Sequence, residues 1–219
     1  IYPSRTLFFI TGDFGKTLLM MGLVIVAVRT FNDFEWMLAA QVLGAAVYAG
    51  TILTRFSVDS TGRLGELVYY DSNDLAMLLV MALPLAAYFF RGGVATNRRL
   101  IALAGFGIIV VGLVKTGSRG GFLGFIAVLL FLLFRFTALS RKARMGSVVA
   151  LVSGFLLVAN EQYWGMMSTL LNPKADYNFS GQSEGGRMEI WKRGIGYMAS
   201  FPLTGVGAAN FGIAEGSIS

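Results

Sequence analysis

The chain has 219 residues, 55% of them hydrophobic and 14% charged, with a formal net charge of +6; soluble domains carry roughly 25% charged residues, so this composition calls for lipid. It contains no histidine and no cysteine, which excludes His/Cys metal sites, cysteine nucleophiles, Ser-His-Asp triads and disulfides within these residues. The basic residues fall between apolar runs rather than along one face, the distribution of membrane-protein loops and not of a nucleic-acid surface.

Six apolar segments follow in order, at about 14–28, 36–54, 75–90, 100–114, 122–134 and 148–159. Only the second approaches the roughly 20 residues needed to cross ~30 Å of hydrocarbon. Flanking turns, snorkelling Arg and Lys, and interfacial aromatics such as Tyr88, Phe89, Phe90 and Trp164 extend the others. A soluble helical protein is disfavoured, because the segments have almost no polar face with which to meet water. The first segment has no clear basic n-region and cleavage site and reads as a span, not a signal peptide. Its GDFGKT, residues 12–17, imitates the end of a phosphate-binding loop, but the motif's first glycine would fall at Ile10 and a spanning helix follows.

If all six segments cross, the loops at 29–35, 91–99 and 135–146 share one side. They carry Arg29, Arg91, Arg98, Arg99, Arg135, Arg141, Lys142 and Arg144. The opposite loops, 55–74 and 115–121, carry Arg55, Arg63, Lys115 and Arg119. The more basic side is expected to be cytoplasmic, which turns the remaining motifs outward. YYDSNDLA, residues 69–76, opens the third segment; its Asp71, Ser72, Asn73 and Asp74 suit helix capping or a site. Arg63, in the same loop, is a further cation that a site could use or water could solvate.

TGSRGG, residues 116–121, links the fourth and fifth segments. Its glycines, Gly117, Gly120 and Gly121, permit close backbone approach, so that successive amides and the Arg119 fork converge on an anion beside Ser118, with Lys115 strengthening the field. A tight turn with a snorkelling arginine fits the same spacing. In the tail, GGRMEIWKRGIGYMAS places Met188, Trp191, Ile195 and Met198 at helical intervals opposite Glu189, Lys192 and Arg193. That pattern is an amphipathic interfacial helix, opened by Arg187 and ended by Pro202. The expected fold is therefore all-α: a polytopic transmembrane helix bundle over 1–159, then 160–219 as the start of a large extracytoplasmic loop. The chain begins at Ile1 and stops in a glycine-rich loop, so it is expected to be a fragment of a larger protein.

The order of DSND, KTGSRGG and GRMEIWKRGIGYMASFPLTGVG resembles the O-antigen ligase and O-antigen polymerase superfamily of bacterial membrane glycosyltransferases, from about residue 69 onward. The resemblance implies metal-independent, cofactor-free transfer of a glycan from an undecaprenyl-diphosphate carrier on the periplasmic face of the inner membrane. The acceptor would be lipid A core for a ligase or a growing glycan for a polymerase. It assigns the diphosphate to Arg119 and Arg187. It also ties acceptor activation to a histidine later in the large loop; this chain has none, so the fragment alone is expected to be inactive. A transporter or flippase for a charged solute is the competing class, but it calls for ionisable residues near mid-membrane, where these segments have almost none.

Overall fold

The computed structural model describes residues 2–56, 71–137, 139–172 and 186–216. Arg63 lies outside the described residues. Among them, all regular structure is helical. Pro3–Phe9 (α1), a π-helical turn at Ile10–Phe14 and Gly15–Ala27 (α2) run into one another as a 25-residue helix. Then come Phe31–Arg55 (α3), Ser72–Tyr88 (α4), Thr96–Lys115 (α5), Arg119–Phe134 (α6), Arg141–Val158 (α7) and Glu161–Ser168 (α8), with Arg187–Ser200 (α9) and Phe211–Ala214 (α10) in the tail.

Among the described residues, three helices are long and apolar enough to cross a bilayer: Pro3–Ala27, Phe31–Arg55 and Thr96–Lys115. Helices α7 and α8 meet the same test as a pair bent by 104°, while α4 and α6 are shorter apolar helices. The chain is thus an all-α, polytopic helical bundle. Helices α5 and α7 outrun their apolar segments because they open on polar turns, Thr96 to Arg99 and Arg141 to Arg144, which hydropathy assigns to loops. Arg and Lys are good helix formers, and Ser140 caps α7 by accepting from the Ala143 N–H. The GDFGKT stretch is helical throughout, and Lys16 pairs with Asp13 at 3.5 Å rather than facing a phosphate loop.

The chain divides into two compact units, Ile1–Asp33 with Asn172–Ser219, and Phe34–Leu171. The core of the second is α4, whose Leu75, Ala76, Leu79, Ala82, Leu83 and Ala86 are buried at intervals of three and four. Small residues let its neighbours close in. A Cβ on Gly121 of α6 would lie 2.6 Å from that of Ala76, and one on Gly112 of α5 would lie 2.9 Å from that of Ala49 on α3. Between apolar helices in lipid, such close backbone approach replaces the missing hydrophobic drive.

At one end of this unit sits a cluster that hydropathy does not reveal. Glu35, only 8% exposed, forms ion pairs with Arg91 and with Arg98, the latter at 2.6 Å. Arg91 lies over the Tyr88 ring and Arg98 over the Trp36 ring, at 4.2 and 4.6 Å from the centroids. Helices α3 and α5 and the turn that follows α4 are thereby tied together.

In the other unit, α1 is clasped by the turn after α9. Thr6 donates to the Ala208 carbonyl at 3.0 Å, and the Asn210 amide donates to the Thr6 hydroxyl at 2.9 Å. Helix α9 holds α10 through Arg193, which donates to Glu215 at 2.7 Å, and Tyr197, whose hydroxyl donates to Glu215 at 2.9 Å. Trp191, Ile195 and Met198 remain exposed on α9, so its apolar stripe is available to an interface.

Candidate functional site

The DSND and SRGG stretches meet at one end of the Phe34–Leu171 unit. Asp71 caps α4, its carboxylate accepting from the Asn73 and Asp74 N–H groups at 2.7 and 2.8 Å. This holds Asn73 on the first turn, where its side-chain oxygen accepts from the Ser118 hydroxyl at 2.8 Å. Ser118 is itself the N-cap of α6, accepting from the Gly121 N–H at 3.1 Å. One buried serine thus fastens the amino ends of two helices to each other.

The link between α5 and α6 is tighter than an anion-cradling loop. Gly117 turns the chain at φ +59°, a left-handed conformation that favours glycine. Its N–H donates to the Val114 carbonyl at 3.1 Å, and the Ser118 N–H donates to the Thr116 hydroxyl at 3.2 Å. Gly120 and Gly121 belong to the first turn of α6. The amides of Gly117, Ser118 and Gly121 therefore close the turn and cap rather than converge on a ligand, and Gly121 is glycine because α4 presses against it. Lys115 is exposed at the end of α5.

Arg119 is the first residue of α6 and is half-buried. A cation at the positive end of its own helix is in an unfavourable place. Its guanidinium reaches instead to α8, where Nη1 donates to the Thr169 hydroxyl at 2.9 Å. Thr169 caps the carbonyl end of α8, the end that favours a positive charge. Arg119 therefore sits between an amide end and a carbonyl end.

The sequence reading, which opens the extracytoplasmic loop at 160, does not single out α8. The signal was present: Asn160 accepts from the Tyr163 N–H at 2.9 Å as N-cap, with Glu161 in the first turn. Helix α8 is pinned by aromatic packing, Phe122 against Tyr163 and Trp164, and Phe155 against Tyr163 at 5.4 Å. Between α6 and α8 runs an apolar groove of about 440 Å³ lined by Phe122, Leu123, Trp164, Met167, Ser168, Leu170 and Leu171.

Arg187 opens α9 in the other unit and is exposed, one turn before the outward-facing Trp191. Beyond it, Arg193 and Tyr197 hold the Glu215 carboxyl below the usual carboxylate range, the hydrogen bond from Arg193 being the largest cause. Among the described residues, no three carboxylates gather as a metal site.

A family model described as O-antigen ligase matches residues 104–218, slightly more than half of the chain. The matched stretch runs from within α5 to the end of the tail and contains both Arg119 and Arg187. No curated protein and no solved structure matches the chain.

Proposed function

Since the chain belongs to the O-antigen ligase family, we propose that it transfers a glycan from an undecaprenyl-diphosphate carrier to an acceptor at the extracytoplasmic face of the bacterial inner membrane. The observation that carries this reading is the placement of Arg119, a guanidinium anchored between the amide end of α6 and the carbonyl end of α8. An acceptor hydroxyl oxygen attacks the anomeric carbon and its proton passes to solvent, the bond from that carbon to the phosphate oxygen breaks, and the electron pair leaves with the lipid diphosphate. Charge builds on the departing phosphate, where a preorganised arginine lowers the barrier. Arginine suits the task because it stays protonated and offers paired N–H donors. Near low-dielectric surroundings its field is stronger than in bulk water.

Arg187, at the exposed start of α9, is assigned to the same diphosphate, and the exposed apolar stripe of α9 suits it to a bilayer interface. Asn73 and Ser118 hold the α4 and α6 ends together beneath Arg119, and Lys115 adds positive field. The acceptor is lipid A core, with a growing glycan as the polymerase alternative.

The test is complementation with the full-length protein in a strain lacking its own ligase, reading surface glycan on the lipid core. Arg119→Lys and Arg187→Lys are each expected to abolish product at unchanged membrane level. Wild-type product from either variant removes that arginine from the site.

A further inference from the structure

We infer that Thr169 is the positioning residue for Arg119, and that the sharp bend between α7 and α8 serves to deliver its hydroxyl there; this rests on the reading of Arg119 as a diphosphate ligand. A threonine hydroxyl has a single proton. At Thr169 that proton goes to the Met166 carbonyl, 2.8 Å away. The oxygen's lone pairs are thereby turned outward, and Nη1 of Arg119 donates to them at 2.9 Å. The hydroxyl acts as a fixed acceptor, and being neutral it adds no opposing charge of its own.

The geometry behind Thr169 is over-determined. The 104° bend between α7 and α8 points the carbonyl end of α8 at the start of α6. The Asn160 cap and the edge-on contacts of Phe122 with Tyr163 and Trp164 hold the bend. An arginine at the first position of an apolar helix would otherwise snorkel along its long stem toward water. Thr169 selects one direction, and pre-set direction is what a charge-stabilising group needs.

The experiment uses the full-length protein in lipid nanodiscs with a lipid-diphosphate-linked glycan as donor and a soluble acceptor analogue, comparing Thr169→Val, Thr169→Ser and Arg119→Lys. Valine keeps the shape and removes the acceptor; serine keeps the acceptor. Loss of a hydrogen bond to a charged group is expected to raise the donor KM of Thr169→Val about tenfold. The acceptor KM stays unchanged, and Thr169→Ser returns to within about twofold of wild type by keeping that bond. A merely structural role would lower the turnover per total protein and leave the donor KM where it was, which overturns the inference. So would a Thr169→Ser as impaired as Thr169→Val. If Arg119→Lys itself keeps the wild-type donor KM, the diphosphate reading of Arg119 fails, and the assignment of Thr169 falls with it. If Arg119→Lys is impaired while Thr169→Val is not, only the assignment of Thr169 falls. Equilibrium binding of farnesyl diphosphate to the same variants reads the donor effect without turnover, with the same weakening expected for Thr169→Val and the same recovery for Thr169→Ser.

Discussion

The two ends of the Phe34–Leu171 unit hold their arginines in opposite ways. At one end, Glu35 accepts from both Arg91 and Arg98, and the rings of Tyr88 and Trp36 cover the guanidiniums. At the other, Arg119 donates to the Thr169 hydroxyl beside the bond from Ser118 to Asn73. A carboxylate shared by two guanidiniums offsets part of their charge as it binds, which makes a staple between helices. A hydroxyl only aims. On the proposed reading of Arg119, the difference separates arginines that hold helices together from one directed toward a substrate, although all of them read as loop cations in the sequence.

Variants at each end test this separation. The largest effect is expected from Arg119→Ala, which should lower transfer by at least about a hundredfold, the usual cost of removing one charge-stabilising group. Thermal stability in detergent should change little; a large fall in melting temperature would move Arg119 to the structural side. Glu35→Ala should do the reverse. It leaves two arginines without their carboxylate and is expected to cost about 2 to 3 kcal/mol, below the range for fully buried pairs because Arg91 keeps 27% side-chain exposure. Activity per folded molecule should survive, and an unshifted denaturation midpoint would show that the staple is not needed.

Gly121→Ala probes the close approach of α4 and α6 at the site end. The new Cβ would meet that of Ala76 at 2.6 Å, so α4 and α6 must separate, at roughly 1 to 3 kcal/mol for overpacking. Gly124→Ala, which meets a Val80 methyl at 3.2 Å, should cost less, and equal stabilities for the two variants would refute the close-approach account. The smallest effect concerns α9 and α10. Glu215 is held below the usual carboxylate range, so the stabilisation it lends is complete above that range and is lost as the pH falls through its lowered value. Protease cutting near 211–216 should therefore rise on acidification, and Glu215→Gln should remove that dependence; an unchanged acid response in the variant would assign it elsewhere.

Much of the helical content was legible in the sequence, because long apolar runs leave the backbone only one way to satisfy itself in hydrocarbon. The apolar core of each of the six segments lies within a helix. The starts were less legible: α5 and α7 begin on basic turns that hydropathy counts as loop. At the site, Arg119 was found by its oddity, a cation at the mouth of an apolar run. Thr169 carried no such mark, and neither did Glu35, whose importance appears only with two arginines around it. The glycines of TGSRGG read in the sequence as backbone access, whereas the turn, the Ser118 cap and the packing of α4 account for Gly117 and Gly121.

By itself the sequence determined that this is an all-helical membrane protein, where its apolar cores fall, and which short motifs carry polar groups to helix starts. These are local properties, set by transfer free energy and by capping over a few residues. Which polar groups meet was decided only by tertiary structure. Ser118 finds Asn73 across 45 positions, Arg119 finds Thr169 across 50, and Glu35 finds Arg98 across 63. Those meetings follow from how closely small residues let helices approach and from one sharp bend, and a hydropathy pattern, which scores residues singly, contains neither.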